Sequence, residues 1–564
     1  KICFYMKNLL IIVSFITLLC SGCNNSTKKY SLGIKNAKIW TGENDQPWAE
    51  VMICSGDKIA LIGTEKDLAT ALEDCDTVID GNGKLVLPGF IDCHVHTIMG
   101  GTLLNTVQLK DVRTKQEFIN RIKEYALTLQ PGEWILGGNW DHQNWGGELP
   151  THHWIDSVTT QNPVWIERSE GHSGLANKLA MEKAQITKNF KDVKGGIIER
   201  LEDGAPSGVF KDDAMFLIFK VIDDLTVQQK DKYINDAMDY FLSEGITSAH
   251  HMIEPHERNP GGHSTDYEAF KHLQQNKGLR VRFYIAQPFT DFSQVAADVK
   301  AHGKGDMWLK TGVLKGYVDG AIGSHSALFF DDYNDKKGYK GNQVNSDEVL
   351  YHNIQQADSL GLQLCIHAIG DKGIYTALKT FDAVIKHNGP KDRRFRIEHT
   401  QHIRPQDAGY MGRLGVIASM QPYHAIDDGI WCENAIGHKR ALSTYAAKML
   451  MDSGVRVAFG SDWFVAPPSP LKGIYAAVTR RTLDGKNPNG WIPEQKITVE
   501  QAVRNYTVEG AYASFDEDKK GSLKVGKLAD WIILKDNIFD IDPIKIWDSK
   551  IEMTVVGGKI AYKK

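Results

Sequence analysis

The chain lacks several features that would assign it to a common functional class. It has 564 residues and a formal net charge of −4, with no long run of basic residues, so its electrostatics do not support nucleic-acid binding. After residue 29 the cysteines stand at positions 54, 75, 93, 365 and 432, and none is spaced as CxxC, which excludes a zinc ribbon. Cys54 and Cys75 either pair in an oxidising compartment or remain buried thiols. What is present is an ordinary globular composition with 20 histidines.

The first 29 residues have the pattern of an export signal. Lys7 precedes an apolar run from Leu9 to Leu19 that is too short to span a bilayer comfortably, and small residues then lead to Cys23. The segment LLCSGC resembles a bacterial lipobox, in which the chain is cleaved before Cys23 and this cysteine is lipidated. We expect Met6 to be the initiator and the protein to be exported as a membrane-anchored lipoprotein facing the periplasm or the cell exterior. An uncleaved apolar anchor is the alternative.

The sequence pattern divides the rest of the chain into three parts. In residues 30–87 and 516–564, short strand-like segments are separated by Gly, Asn and Asp, which predicts one small β-rich domain built from both chain ends. Residues 88–515 alternate apolar strands with amphipathic helices, which predicts an α/β fold with a TIM-like (β/α)8 barrel. The segment from about residue 130 to residue 240 is too long to be one connection between barrel elements, which predicts an inserted α/β subdomain. The eight predicted barrel strands are GFIDCHVH, GITSAHHM, RVRFYIAQ, GVLKGYVDG, QLCIHAIGD, FRIEHTQ, GVIASMQPY and VRVAFGSD.

Polar side chains stand at the carboxyl ends of five of these strands. Active sites of such barrels lie at that end, and an unpaired polar group next to an apolar run would cost about 1–3 kcal/mol. Each residue alone has a structural explanation, such as a core histidine or a helix cap, but the set together indicates a site. Imidazole and carboxylate groups suit one or two divalent ions, with zinc as the first candidate. The residues are His94 and His96 on the first strand, Lys315 on the fourth, His367 on the fifth, His399 on the sixth and Asp462 on the eighth.

Lys315 has two interpretations. A protonated ammonium would repel metal ions, but a buried neutral lysine can add CO2 to become a carbamate that bridges two cations about 3.5–4 Å apart. The alternative is an ordinary charged lysine paired with Asp319, which lies on the same strand face.

The order HxH, Lys, His, His and Asp resembles the amidohydrolase superfamily. The segments GNWDHQNW, GHSGLANKLA, VDGAIGSHSA and GSDW are similar to the branch that contains N-substituted formamide deformylases and exoenzyme-regulator-like proteins, although LKGYVDG departs from the usual fourth-strand pattern. The resemblance implies a metal-dependent barrel with a composite β-sandwich domain. It also implies a small-molecule substrate and hydrolysis of a non-peptide C–N bond by attack of a metal-bound hydroxide. Oligomers are common in the superfamily.

Individual roles follow from this resemblance. Asp462 is expected to accept a proton from the nucleophile and pass it to the leaving nitrogen. His172, Asp141, Trp140 and Asp319 are predicted to contact substrate, with a helix cap as the alternative for His172 and a core position as the alternative for the aromatic GNWDHQNW segment. We expect Asp92 to orient a ligand histidine.

Other functions remain open on the same scaffold. A cyclic amidohydrolase or a deaminase differs only in the C–N bond attacked. A metal-dependent isomerase or lyase would use the same ions to enolise its substrate. A non-catalytic metal-binding lipoprotein is the third alternative, and the presence of Asp462 argues against it because a binding site needs no base.

Overall fold

The computed structural model describes residues 29–168, 173–253 and 265–564. Cys23 with the whole leader, and His172 in the segment GHSGLAN, lie outside the described residues. The predictions made for them therefore stay predictions. Among the helices of the described ranges, none has the length and apolarity that crossing a membrane requires.

Eight parallel strands form one sheet in which successive strands along the chain are neighbours in space. A parallel bridge between Val95 and Trp463 brings the first strand to the last, so the sheet is nearly closed into a barrel. The predicted (β/α)8 barrel and the positions of its eight strands are confirmed. The strands are Phe90–Val95, Ile246–Met252, Arg282–Pro288, Leu309–Tyr317, Gln363–Ala368, Arg396–His399, Ile417–Met420 and Val457–Phe459.

Because side chains alternate along these strands, polar groups lie at inward-facing positions at the carboxyl end of the barrel, which we call the barrel mouth. Leu314 packs in the large core shared with the helices, whereas Val313 and Cys365 lie in a small cluster inside the barrel. Because side chains on a strand repeat every second residue, Lys315 and His367 face the interior two residues further on. They are therefore aimed at the carboxyl end of the barrel.

Helices surround the barrel and several begin with defined caps. Thr226 accepts a hydrogen bond from the backbone N–H of Gln229, whose side chain accepts one from the backbone N–H of Thr226, so two unpaired helix donors are satisfied. The α-helices of the barrel region are Thr97–Leu104, Val227–Ser243, Asp266–Gln275, Phe292–His302, Asp347–Ser359, Asp371–Asn388, Pro405–Arg413, Pro422–Asp428, Cys432–Ile436, His438–Ala441, Ala447–Asp452, Pro470–Thr479, Val499–Asn505 and Val508–Ala513. Short 3-10 helices occupy Phe289–Asp291 and Pro493–Gln495.

The inserted subdomain has a six-stranded sheet of its own. It begins at Val107 and not near residue 130, and helix Val227–Ser243 does not belong to it. The reason is packing, because Ile234 and Phe241 of that helix are buried in the barrel core. The strands are Val107–Gln108, Gly137–Trp140, Trp165–Arg168, Ser173–Ala176, Gly196–Arg200 and Pro206–Asp212. The helices are Lys115–Ala126, His142–Trp145, His152–Ile155, Lys178–Lys183, Asp213–Met215 and Phe216–Phe219.

The two chain ends form the predicted composite β domain. Leu32 and Ile34 of the first part share one hydrophobic core with Trp531 and Val555 of the last part. One sheet combines both ends in the order Lys559–Lys563, Ile551–Val556, Trp531–Leu534, Leu85–Pro88, Lys38–Trp40 and Trp48–Ala49. The other has the order Lys58–Gly63, Val51–Ser55, Tyr30–Lys35 and Cys75–Asp80, and helices Glu65–Glu73 and Pro543–Asp548 complete the region.

Cys54 and Cys75 are buried and are not joined in a disulfide. Their strands flank strand Tyr30–Lys35 on opposite sides. Two strand spacings amount to about 9.5 Å, which exceeds the Cα separation that a disulfide allows. Their side chains also belong to different hydrophobic clusters, so the backbone favours two thiols.

Candidate active site

Three histidines converge on Asp462 at the carboxyl end of the barrel. Its Oδ1 lies 3.1 Å from His96 Nε2 and 3.5 Å from His94 Nε2, and its Oδ2 lies 3.9 Å from His399 Nδ1. The ring of His367 is 4.4 Å from that of His399 between centroids. All of these side chains come from the strand ends at which the sequence predicted a site.

Two of these residues hold a left-handed backbone. The φ angle is 74° at His399 and 60° at Asp462, and such conformations cost a non-glycine residue about 1–3 kcal/mol each. The backbone N–H of Asp462 donates to the carbonyl of His94 at 2.7 Å, which ties the strained residue to the first strand. Strain of this kind is typical of positions at which a side chain must point in one direction.

The protonation states suit a divalent cation. Burial and the charge of Lys315 lower the pKa of His94 to about 4, and the same two causes lower the pKa of His367 to about 3. Burial opposes ionisation of Asp462, but the hydrogen bond from His96 and the charge of His94 outweigh it and hold the pKa of Asp462 well below its usual value. Neutral imidazole and ionised carboxylate are the forms in which these groups act as ligands.

The donor set fits a metal ion by its chemistry and by its spacing. One ligand atom from each of His94, His96 and Asp462 lies within 4.8 Å of the others. Two imidazole nitrogens and a carboxylate oxygen are ligands of the kind that zinc and similar ions take. These residues together form a candidate metal site at the carboxyl end of the barrel.

Sequence reasoning missed Glu398, which sets the tautomer of His94. Glu398 is fully buried and its Oε2 accepts a hydrogen bond from His94 Nδ1 at 2.6 Å, so His94 presents its unprotonated Nε2 to the site. Arg396 Nη2 donates to the same oxygen at 3.1 Å, and Arg396 Nε lies 2.8 Å from Oε1. The signal in the sequence was an acidic and a basic residue on the inward face of one apolar strand.

Asp92 acts on the backbone and does not orient a histidine ring. Its Oδ1 accepts hydrogen bonds from the backbone N–H groups of His94 and Ser461, which joins the first and last barrel strands. The ring of His399 is instead contacted by Gln421, whose Oε1 lies 2.9 Å from His399 Nδ1. The expectation for Asp92 is therefore corrected, since Glu398 takes the role assigned to it.

Lys315 is buried at the floor of the site and is not paired with Asp319. Its Nζ lies 3.4 Å from His94 Nε2, and no carboxylate of the described ranges lies within ion-pair distance of it. Asp319 is engaged elsewhere, because its carboxylate accepts hydrogen bonds from three backbone N–H groups of the following loops. These are the N–H groups of Leu328, Ile369 and Gly370, at 2.7, 3.0 and 2.9 Å. Asp319 thus shapes loops beside the site, its Oδ1 lies 3.8 Å from His367 Nε2, and it is not among the residues that line the cavity.

Trp140 and Asp141 of the GNWDHQNW segment are not among the residues that line the cavity beside the metal site. Trp140 is fully buried in the hydrophobic core of the insertion and donates from Nε1 to the carbonyl of Ile166 at 2.9 Å. Asp141 accepts hydrogen bonds from the backbone N–H of Gln143 and from Arg168 Nη2, both at 3.1 Å. Trp140 therefore takes the core position that the sequence left open, and Asp141 caps a short helix.

A cavity of about 450 Å³ opens above the candidate metal site. This volume is in the range of small-molecule sites, about 300–1,000 Å³. The floor consists of His96, Lys315, His367, His399 and Asp462. The apolar walls include Met99, Ile322, Ile369, Phe464 and Val465, and the remaining wall includes His424, Asp427, Asp428 and Trp431.

Comparison with known proteins identifies the family to which the chain belongs. The sequence pattern of the Amidohydrolase family matches residues 77–562, which is most of the chain. The chain belongs to the amidohydrolase family. The resemblance inferred from the ordered strand-end residues is thereby confirmed.

Relatives of this amidohydrolase match it over nearly its whole length. Protein LONG AFTER FAR-RED 3 of Arabidopsis thaliana is 36% identical, over 94% of this chain and 91% of that protein. N-substituted formamide deformylase of Arthrobacter pascens is 26% identical, over 95% of this chain and 99% of that protein. The crystal structure of an uncharacterized metal-dependent hydrolase from Pyrococcus horikoshii is 25% identical with a TM-score of 0.75, covering 91% of this chain and 99% of that one. The chain is accordingly an enzyme of the metal-dependent hydrolase class.

Proposed function

We propose that this amidohydrolase cleaves the C–N bond of a linear or N-substituted amide other than a peptide bond. The observation that carries the proposal is the convergence of His94, His96 and His399 on Asp462 at the floor of a cavity of small-molecule size. The similarity to N-substituted formamide deformylase over 99% of that protein supports the type of bond.

The residues at the floor of the cavity have two proposed roles in hydrolysis, holding metal ions and transferring a proton. His94, His96, His367, His399 and Asp462 would hold one or two divalent ions, with zinc as the first candidate. When bound, such an ion polarises the substrate carbonyl and lowers the pKa of water. Asp462 takes the proton of the attacking water at a carboxylate oxygen and returns it to the leaving nitrogen, since its low pKa keeps it ionised before the reaction.

Lys315 is proposed to act as a carbamate. Neutral Nζ attacks the carbon of CO2, an N–C bond forms, and one proton is released to solvent, which leaves a carboxylate on the lysine. The support is a lysine that is 2% exposed, lies 3.4 Å from His94 Nε2 and has no described carboxylate as an ion-pair partner. The modification would add two oxygen donors to a floor that otherwise offers mostly imidazoles.

The test is release of amine or ammonia by the metal-loaded protein from a panel of N-substituted formamides, linear amides and cyclic amides. We expect turnover of linear or N-substituted amides, and loss of it in Asp462→Asn with the fold retained. Asp452→Asn, on the exposed end of helix Ala447–Asp452, is the charge-matched control. Turnover of cyclic amides alone, isomerisation without amine release, or substantial activity in Asp462→Asn would contradict the proposal.

A further inference from the structure

One wall of the cavity carries polar groups where the others are apolar. Helix Pro422–Asp428 follows the seventh barrel strand and supplies His424, Asp427 and Asp428, and Trp431 follows after the helix end. These four residues are spaced i, i+3, i+4 and i+7, so they lie along one side of a helical path. We call these four residues the acidic wall.

His424 indicates that the acidic wall is built to meet a ligand. The residue is 7% exposed, and its Nε2 is buried without a hydrogen-bond partner among the described residues. Buried polar atoms in native proteins nearly always have a partner, so an unpaired one in the lining of a cavity needs an explanation. A ligand that donates a hydrogen bond into the cavity would provide it.

The two carboxylates of the acidic wall have no cationic partner in the described part of the chain. Asp428 accepts a hydrogen bond from the hydroxyl of Tyr445, which is neutral. Asp427 is exposed at the cavity and forms no ion pair with a described lysine or arginine. Lys315 is the one lysine or arginine among the described residues that line the cavity, and it belongs to the floor.

We propose that the acidic wall binds a cationic group of the substrate, so that the amide carries a protonated amine on an apolar spacer, separate from the bond that is cleaved. Asp427 and Asp428 supply the opposite charge, and a ring nitrogen of His424 accepts an N–H of the ammonium. Trp431 offers an aromatic face to the same cation, and the apolar walls contact the spacer. This inference rests on the proposed function, because it names the substrate class of the same cavity.

Binding of a charged and an uncharged probe of the same shape tests the inference without turnover. The probes are 2-phenylethylammonium and 2-phenylethanol, titrated calorimetrically into the metal-loaded protein at neutral pH. We expect the ammonium to bind roughly tenfold more tightly or better, as for hydrogen bonds to charged groups, and the preference to shrink at high salt. Asp427→Asn and Asp428→Asn should each lower ammonium affinity several-fold and leave the alcohol unchanged, and Asp452→Asn should alter neither.

Equal affinity of the two probes for the unaltered protein would overturn the inference, and so would a preference that survives in the Asp427→Asn, Asp428→Asn double variant. The unaltered protein provides the first of these tests even if a variant does not fold, which thermal denaturation would reveal. The outcome is separable from the proposed function. Hydrolysis of neutral amides without preference for the ammonium would refute only the acidic wall, and ammonium preference without amide hydrolysis would refute only the reaction.

Discussion

Replacing Glu398 with Gln should weaken metal binding although Glu398 is not itself among the predicted ligands. Glu398 Oε2 accepts hydrogen bonds from His94 Nδ1 and Arg396 Nη2, and Oε1 lies 2.8 Å from Arg396 Nε. A carboxamide has one acceptor oxygen where the carboxylate has two. If the carboxamide oxygen accepts from His94 Nδ1, the NH2 group of the carboxamide faces the guanidinium of Arg396. If the oxygen instead accepts from Arg396 Nε, the NH2 group donates to His94 Nδ1, and the proton of the histidine ring must move to the ligand atom Nε2.

The size of the effect follows from these contacts. Loss of a partner that orients a ligand histidine lowers metal affinity by about 10- to 100-fold, which corresponds to about 1.4–2.8 kcal/mol. Arg396 also loses its counter-charge in the barrel interior, where both side chains are fully buried. Breaking such a pair destabilises a protein by about 3–5 kcal/mol. We therefore expect weaker metal binding together with a lower free energy of unfolding.

The measurement is a competition titration of the metal against a chelator of known affinity, on the folded variant and the unaltered protein. Urea unfolding of both proteins without metal gives the separate stability term, and Asp452→Asn controls for the change in charge. A metal dissociation constant within twofold of the unaltered protein would refute the role assigned to Glu398. A loss of stability alone would show that the carboxylate serves Arg396 only.

Three further predictions concern Lys315, Glu43 and Cys23. Lys315→Ala should lower the number of bound metal ions measured by mass spectrometry, and an unchanged number would favour a plain lysine. Burial opposes ionisation of Glu43, but hydrogen bonds from Ser522 and two lysines outweigh it and lower its pKa to about 2 from 4.5. Its stabilising contribution should therefore be complete above pH 4.5 and lost as pH falls towards 2, and Glu43→Gln should flatten this dependence in urea unfolding; an equal acid loss in the variant would contradict the assignment. We propose that Cys23 carries a lipid anchor, so Cys23→Ser should release the protein from membranes on fractionation, and persistent association would indicate an apolar anchor.

The residues of the site could be predicted from the sequence, but the backbone conformation of its irregular part could not. His94, Lys315 and His367 obey strand alternation, so their position after an apolar run was enough to place them at the barrel mouth. His399 follows Glu398, which faces the interior, and alternation alone would send its side chain outward. Its left-handed backbone at φ 74° ends the strand at this point, and no sequence pattern announces that angle.

The role of a buried charged residue, Glu398, could also not be predicted from the sequence. An acidic residue in an apolar strand departs from the pattern, and only tertiary contacts show that Glu398 pairs with Arg396 and with His94. The aromatic-rich segment, by contrast, led to the prediction of a substrate contact that the structure does not show. Trp140 resembles a pocket wall in the sequence, yet it fills the core of the insertion because its ring is large and its N–H finds the carbonyl of Ile166.

The floor and the acidic wall of the cavity are held in place by different contacts. This difference affects which properties members of the family can be expected to share. The floor is held from below by Glu398 and Asp92, both fully buried, so a change there disturbs the barrel as well as the ligands. The acidic wall belongs to a short helix, and the side chain of Asp427 is exposed and forms no hydrogen bond with a described residue. Substitution at Asp427 would therefore alter substrate charge preference at little cost to the fold. Relatives that share the floor can consequently share bond chemistry and differ in substrate.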